Sequence, residues 1–86
     1  EDTDLIKKVK NDFNRMIRRK YLYTTNFAVN NGNSEAAAYI ALTELYDANI
    51  KLLDTVNSSL STVVKKSIYG KRLDAYISGI KARESN

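Results

Sequence analysis

The chain has 86 residues, 43% of them apolar and 28% charged, and contains no cysteine, histidine, tryptophan or proline. That is one small domain at most, folded rather than disordered, with no disulfide, thiolate metal site or thiol nucleophile. Without histidine the usual general base near neutral pH is missing too, so the composition points away from an enzyme and from any cofactor. The absence of proline suits long uninterrupted helices. No apolar run approaches the roughly 20 residues of a membrane span, so no membrane partner is expected. The sequence opens on Glu1 rather than Met, as a processed or excised segment would.

The net charge of +4 is unevenly placed. Residues 1–20 carry a net +3, residues 21–64 a net −3, and residues 65–86 a net +4. A basic band at the two chain ends can attract phosphate or an anionic membrane surface, whereas the competing reading is a solvated helix face partly paired with the acidic middle.

In chain order, Asp2 or Thr3 is a suitable N-cap for a first helix over about residues 3–29. Along it Ile6, Val9, Phe13, Met16, Lys20, Tyr23 and Phe27 alternate steps of three and four, which places them on one face. Lys20 interrupts that seam, and its aliphatic stem allows the ammonium to reach water. Asn30–Asn33, a cluster that includes Gly32 and tolerates left-handed backbone, predicts a turn. Asn33 or Ser34 then caps a second long helix running to about residue 64.

On that helix Ala38, Leu42, Leu45, Asn49, Leu52, Val56, Ser59 and Val63 form a heptad seam. Tyr39, Tyr46, Leu53 and Leu60 flank one side, and the small Ala41, Ala48, Thr55 and Thr62 flank the other. One antiparallel partner helix cannot cover so broad an arc, and the rest needs a third helix or a neighbouring subunit. The expectation is an all-α, antiparallel helical hairpin with coiled-coil-like packing over residues 1–64. A short third helix over about 71–83 follows in a basic tail, residues 65–86, with a break or kink at Gly70. Such a hairpin has little core of its own and is expected to form a homo-oligomer. The expected contact is Tyr39, Leu42, Leu45, Tyr46, Asn49, Leu52, Leu53, Val56 and Leu60, in which a polar Asn49 would either set register or sit harmlessly at an edge. The six tyrosines suit packing at helical interfaces better than base stacking.

No motif for chemistry is present. Gly32, Gly70 and Gly79 are isolated and form no phosphate loop, and no sequence-local carboxylate cluster suggests a metal. The candidate nucleic-acid contacts are Lys65, Lys66, Lys71 and Arg72, with Arg15, Arg18 and Arg19 of the first helix.

The run Asn11-Asp12-Phe13-Asn14-Arg15-Met16-Ile17 resembles the start of the central hairpin in small terminase subunits of myovirus-type tailed phages. The second helix is similar as well: Ser34 opens it, and Leu42, Leu45, Asn49, Leu52, Leu53 and Asp54 match a Leu-rich run with a central Asn. The resemblance covers residues 2–64. Glu35 stands where the family usually has Pro, and the stretch from Ser34 to Asn49 is about one turn shorter. What it implies is a DNA-packaging regulator without catalytic residues, active in the cytoplasm of an infected cell. Such proteins form rings, engage double-stranded DNA and regulate the large terminase subunit. Two other readings remain beside it: a structural hairpin subunit of a secretion or conjugation assembly, and a small nucleic-acid-binding helical module.

Overall fold

The computed structural model describes residues 3–84, and among them all regular structure is helical. Five helices follow in order: α1 (Thr3–Asn30), α2 (Glu35–Glu44), α3 (Ile50–Ser59), α4 (Thr62–Lys65) and α5 (Ile68–Glu84). α2 and α3 pack against each other and each also meets both α1 and α5, while α4 packs on α5. The molecule measures 55 × 33 × 15 Å between Cα extremes, and its longest helix is the 28-residue α1.

The turn after α1 falls where the sequence places it, but by another mechanism. No described residue has a positive φ, so Gly32 is not there for a left-handed backbone. The Asn31 side chain instead donates to the Phe27 carbonyl at 2.7 Å, satisfying one of the acceptors left open at the helix end. Gly32 is buried against the Ser59 carbonyl, and its own carbonyl accepts from the Ser61 amide at 2.9 Å. The absent side chain lets the α1–α2 turn touch the end of α3 directly.

The second long helix does not exist as one rod. α2 starts as expected, with the Ser34 hydroxyl accepting from the Ala36 amide at 3.1 Å, but it stops at Glu44. Asn49 then caps α3, its side-chain oxygen accepting from the Lys51 amide at 2.9 Å. Asn is poor inside a helix and strong at its start, because the side chain competes for backbone partners. A second interruption follows Ser59, and Ser61 caps α4 by accepting from the Val64 amide. The heptad spacing therefore runs across two breaks and reflects burial from several directions, not one continuous seam.

Bending this segment lets it cover itself. Leu45, Leu53 and Val56 are fully buried, together with Leu73 from α5 and the small Ala28, Ala37, Ala38 and Ala41. Leu60, Val64 and Ile77 complete the core. Each large aliphatic buried here contributes about 1.5–3 kcal/mol of transfer free energy. The alanines let α1 and α2 approach closely. The row of small residues expected on one flank is divided: Ala41 is buried and Ala48 half-buried, while Thr55 and Thr62 are exposed.

The last helix is longer than expected, starting at Ile68 and running through Gly70 without interruption. The break lies before it, at residues 66–67. Gly70 is buried where α5 crosses the Val64 carbonyl and the Lys65 backbone. The Ser67 hydroxyl accepts from the Gly70 amide at 3.1 Å and donates to the Val64 carbonyl, tying the two helices at that crossing.

Gly70 and Gly79 provide an internal comparison within α5. A Cβ at Gly70 would overlap the Val64 carbonyl, a backbone atom that cannot rotate away, whereas a Cβ at Gly79 meets nothing within 4 Å. Gly70→Ala is expected to cost about 1–3 kcal/mol by overpacking. Gly79→Ala is expected to gain about 0.5–1 kcal/mol from restricting the unfolded chain and improving helix propensity. Urea unfolding of the two variants checks the opposite signs.

Candidate functional site

α1 divides into two physically different parts. Every residue from Thr3 to Met16 is exposed, and Ile17 is the first to be half-buried. Those first residues form an arm of about 20 Å at 1.5 Å rise per residue. Beyond it Ile17, Tyr21, Thr25 and Ala28 turn one side of α1 toward the body. Thr25 is buried and satisfies its hydroxyl by donating to the Tyr21 carbonyl at 2.7 Å.

The seam from Ile6 to Phe27 lies on another side of the helix. At 100° per residue it is rotated by about a third of a turn from the buried side. Ile6, Val9, Phe13, Met16, Tyr23 and Phe27 are all exposed, as are Leu5 and Leu22 beside them. Their spacing predicts a face buried within the hairpin, but the body meets the neighbouring arc instead.

The basic side chains of α1 are all in solvent. Lys7, Lys8, Lys10, Arg15, Arg18, Arg19 and Lys20 are exposed. At 100° per residue Arg15 and Arg18 lie roughly opposite the apolar seam, whereas Lys8 and Arg19 lie to one side of it, Arg19 nearer its edge. Arg18 also borders a mostly apolar groove of about 460 Å³, lined further by Tyr21, Leu22, Asp47 and Leu52.

The C-terminal basic residues form a separate group, with the α2–α3 layer packed between α1 and α5. Lys65 and Lys71 border a recess of about 300 Å³ together with Asn57 and Asp74. The Arg72 guanidinium lies over the Tyr69 ring, 5.8 Å from its centroid, and Tyr69 meets Tyr39 edge-on at 5.1 Å. Lys66 is exposed at the end of α4. Of the acidic middle, Asp54 forms an ion pair with Lys81 at 2.9 Å, and Glu35 accepts from the Tyr69 amide.

The residues expected at a subunit contact are scattered by the bend. Leu45, Leu53, Val56 and Leu60 are inside the chain's own core. Leu42 and Leu52 are half-buried, and Asn49 is an exposed cap. Tyr39 and Tyr46 keep about half their surface in water, 49% and 55%.

Two tyrosines hold the turn between α2 and α3. From α1, Tyr21 donates its hydroxyl to Asp47 at 2.9 Å; from α5, Tyr76 donates to the Tyr46 carbonyl at 2.6 Å. The hydrogen bond to Asp47 raises the Tyr21 pKa above its ordinary 10.0, with smaller contributions from desolvation and from the charges of Asp47 and Tyr46. No group of three or more acidic side chains able to hold a metal occurs among the described residues. No described helix is long and apolar enough to cross a membrane. Comparison with protein-family models, with curated proteins and with solved structures finds no match for this chain.

The Tyr21–Asp47 bond predicts a measurable titration. Ionising Tyr21 replaces a donor with a phenolate beside a carboxylate, so this bond's contribution is complete below pH 10.0 and is lost as pH rises through the elevated pKa. In an alkaline absorbance titration, Asp47→Asn is expected to bring one late-titrating tyrosine back toward its ordinary value. Tyr21→Phe is expected to remove that same transition.

Proposed function

We propose that this chain is a non-enzymatic helical protein that works as a homo-oligomer and engages duplex DNA through its phosphates. The observation that carries the reading is the α1 arm, which presents its basic side chains to solvent on a helix exposed at every residue from Thr3 to Met16. A helix bearing cations on its outer arc suits backbone contact, which fixes position on a duplex without reading sequence. The exposed Lys65, Lys66, Lys71 and Arg72 supply a second, separate set of contacts.

Viral DNA packaging, with a large terminase subunit as partner, is the narrower form of this reading and rests on the resemblance of residues 2–64. That resemblance is drawn on a continuous second helix, and the interruptions after Glu44 and Ser59 depart from it. Stimulation of a large terminase ATPase by the purified protein is the direct test of the narrower form. A purely structural subunit of a secretion or conjugation assembly is the competing reading, in which the basic arm meets acidic protein neighbours.

Fluorescence anisotropy with a short duplex distinguishes them. Binding is expected to be nearly independent of sequence and to weaken steeply between about 50 and 200 mM salt as counterions are released. Replacing Arg15, Arg18 and Arg19 with Gln is expected to reduce the log–log salt slope by about 2–3, near 0.9 for each phosphate no longer neutralised. No measurable binding by the wild type at about 50 mM salt overturns the DNA reading.

A further inference from the structure

We infer that the exposed apolar seam of α1 is the contact with a second copy of this chain, and that the two α1 helices pair antiparallel with Phe13 of one beside Met16 of the other. The inference rests on the oligomeric part of the proposed function and supplies the surface that the buried Leu45, Leu53 and Leu60 do not.

The surface is large enough. Ile6, Val9, Phe13, Met16, Tyr23 and Phe27 are between 47% and 75% exposed. Of these, Ile6 to Tyr23 face one another in the Phe13–Met16 register and offer on the order of 600 Å² of mainly apolar area, against about 800 Å² per partner in a standard protein interface. The largest apolar patch of a typical monomer is about 300–600 Å². The seam also repeats every three and four residues over more than five turns, the spacing at which one helix covers another.

Charge selects the occupant and its direction. A parallel, in-register pair would set Lys20 against Lys20 within the seam, at the end of the basic run from Arg15 to Lys20 in each copy. An antiparallel pair instead sets that basic run against residues 9–14, where Lys10 and Asp12 cancel. With Phe13 facing Met16, the flanking Asp12 of each copy falls opposite Arg19 of the other, so the two-fold axis generates two ion pairs. Sliding the pair by one heptad, so that Phe13 faces Val9, would oppose Asp12 with Asp12. In the favoured register Lys20 faces Val9, where its aliphatic stem packs and its ammonium reaches water. A basic helix with one apolar face also suits an anionic membrane surface, but such a surface gains nothing from an Asp at the seam's edge.

Sedimentation equilibrium of the full chain, with and without anionic phosphatidylserine vesicles in a parallel flotation assay, tests this. The wild type is expected to be a dimer or a multiple of one at tens of micromolar. Phe13→Glu combined with Met16→Glu is expected to weaken association at least a hundredfold. Both side chains lie on the exposed arm, so the unfolding midpoint of a dilute, monomeric sample is expected to stay unchanged. Asp12→Arg alone and Arg19→Asp alone each turn two attractions into two repulsions and are expected to weaken association about tenfold. Mixing those two variants restores both pairs, and recovery of the wild-type affinity in the mixture marks the antiparallel register. An oligomer whose mass survives the Phe13 and Met16 changes overturns this surface while leaving oligomerisation intact. A wild type that stays monomeric overturns both, and a monomer that floats with anionic vesicles replaces the second copy with a lipid surface. DNA binding is measured separately, so its loss or retention does not enter this test.

Discussion

Between Glu44 and Ile50 the chain leaves the helical path, and the amide of Lys51 finds its acceptor in the Asn49 side chain. The rest of the structure depends on that interruption. A straight helix from residue 34 to 64 would carry apolar side chains around most of its circumference, more than α1 alone covers. With the bend, Leu45 from one segment and Leu53 and Val56 from the next enter a common core, and α5 closes it with Leu73 and Ile77. An N-cap contributes about 1 kcal/mol, and the three buried side chains around it contribute several times that. The cap therefore chooses where the helix breaks, and burial is the reason it breaks at all.

The same turn collects the polar connections between layers. Tyr21 reaches it from α1 and Tyr76 from α5, each with its ring half-buried and its hydroxyl bonded. Tyrosine suits this because one side chain packs along a helix and still ends in a donor. The Lys81–Asp54 pair adds an electrostatic link between α5 and α3, at exposures of 54% and 39%. Pairs so open to water contribute at most about 1 kcal/mol, so the hydrophobic core and the close glycine crossings set the geometry, and charge trims it.

α1 combines the body's needs with those of its surroundings on different arcs of one helix. Ile17, Tyr21, Thr25 and Ala28 face the body, the seam from Ile6 to Phe27 faces outward, and Arg15 and Arg18 lie across from the seam. Up to residue 16 the helix gains no tertiary burial, although tertiary packing supplies most of the stability of helices in proteins. An exposed Phe13 and Met16 on such an arm lower no free energy within the chain. This is why the seam stands as the candidate for association, and the opposite arc for phosphate.

By itself the sequence determined the helical class, the first helix and its end, the Ser34 cap, and a C-terminal helix. These depend on local signals: an unbroken three–four spacing, a polar turn, and hydroxyls placed ahead of apolar runs. It also determined which side of α1 is apolar, since spacing alone fixes a face. Only the tertiary structure decided what that face meets. Periodicity does not distinguish a seam covered by the chain's own body from one left in water, because both have the same composition. Nor does it distinguish a continuous heptad run from helices that bend through Asn49 and Leu60 into one core, since a helix break keeps the count of residues between buried positions. Gly32 and Gly70 illustrate the remaining gap. Their lack of a side chain is visible in the sequence, but the carbonyls of Ser59 and Val64 that require it are brought there only by folding.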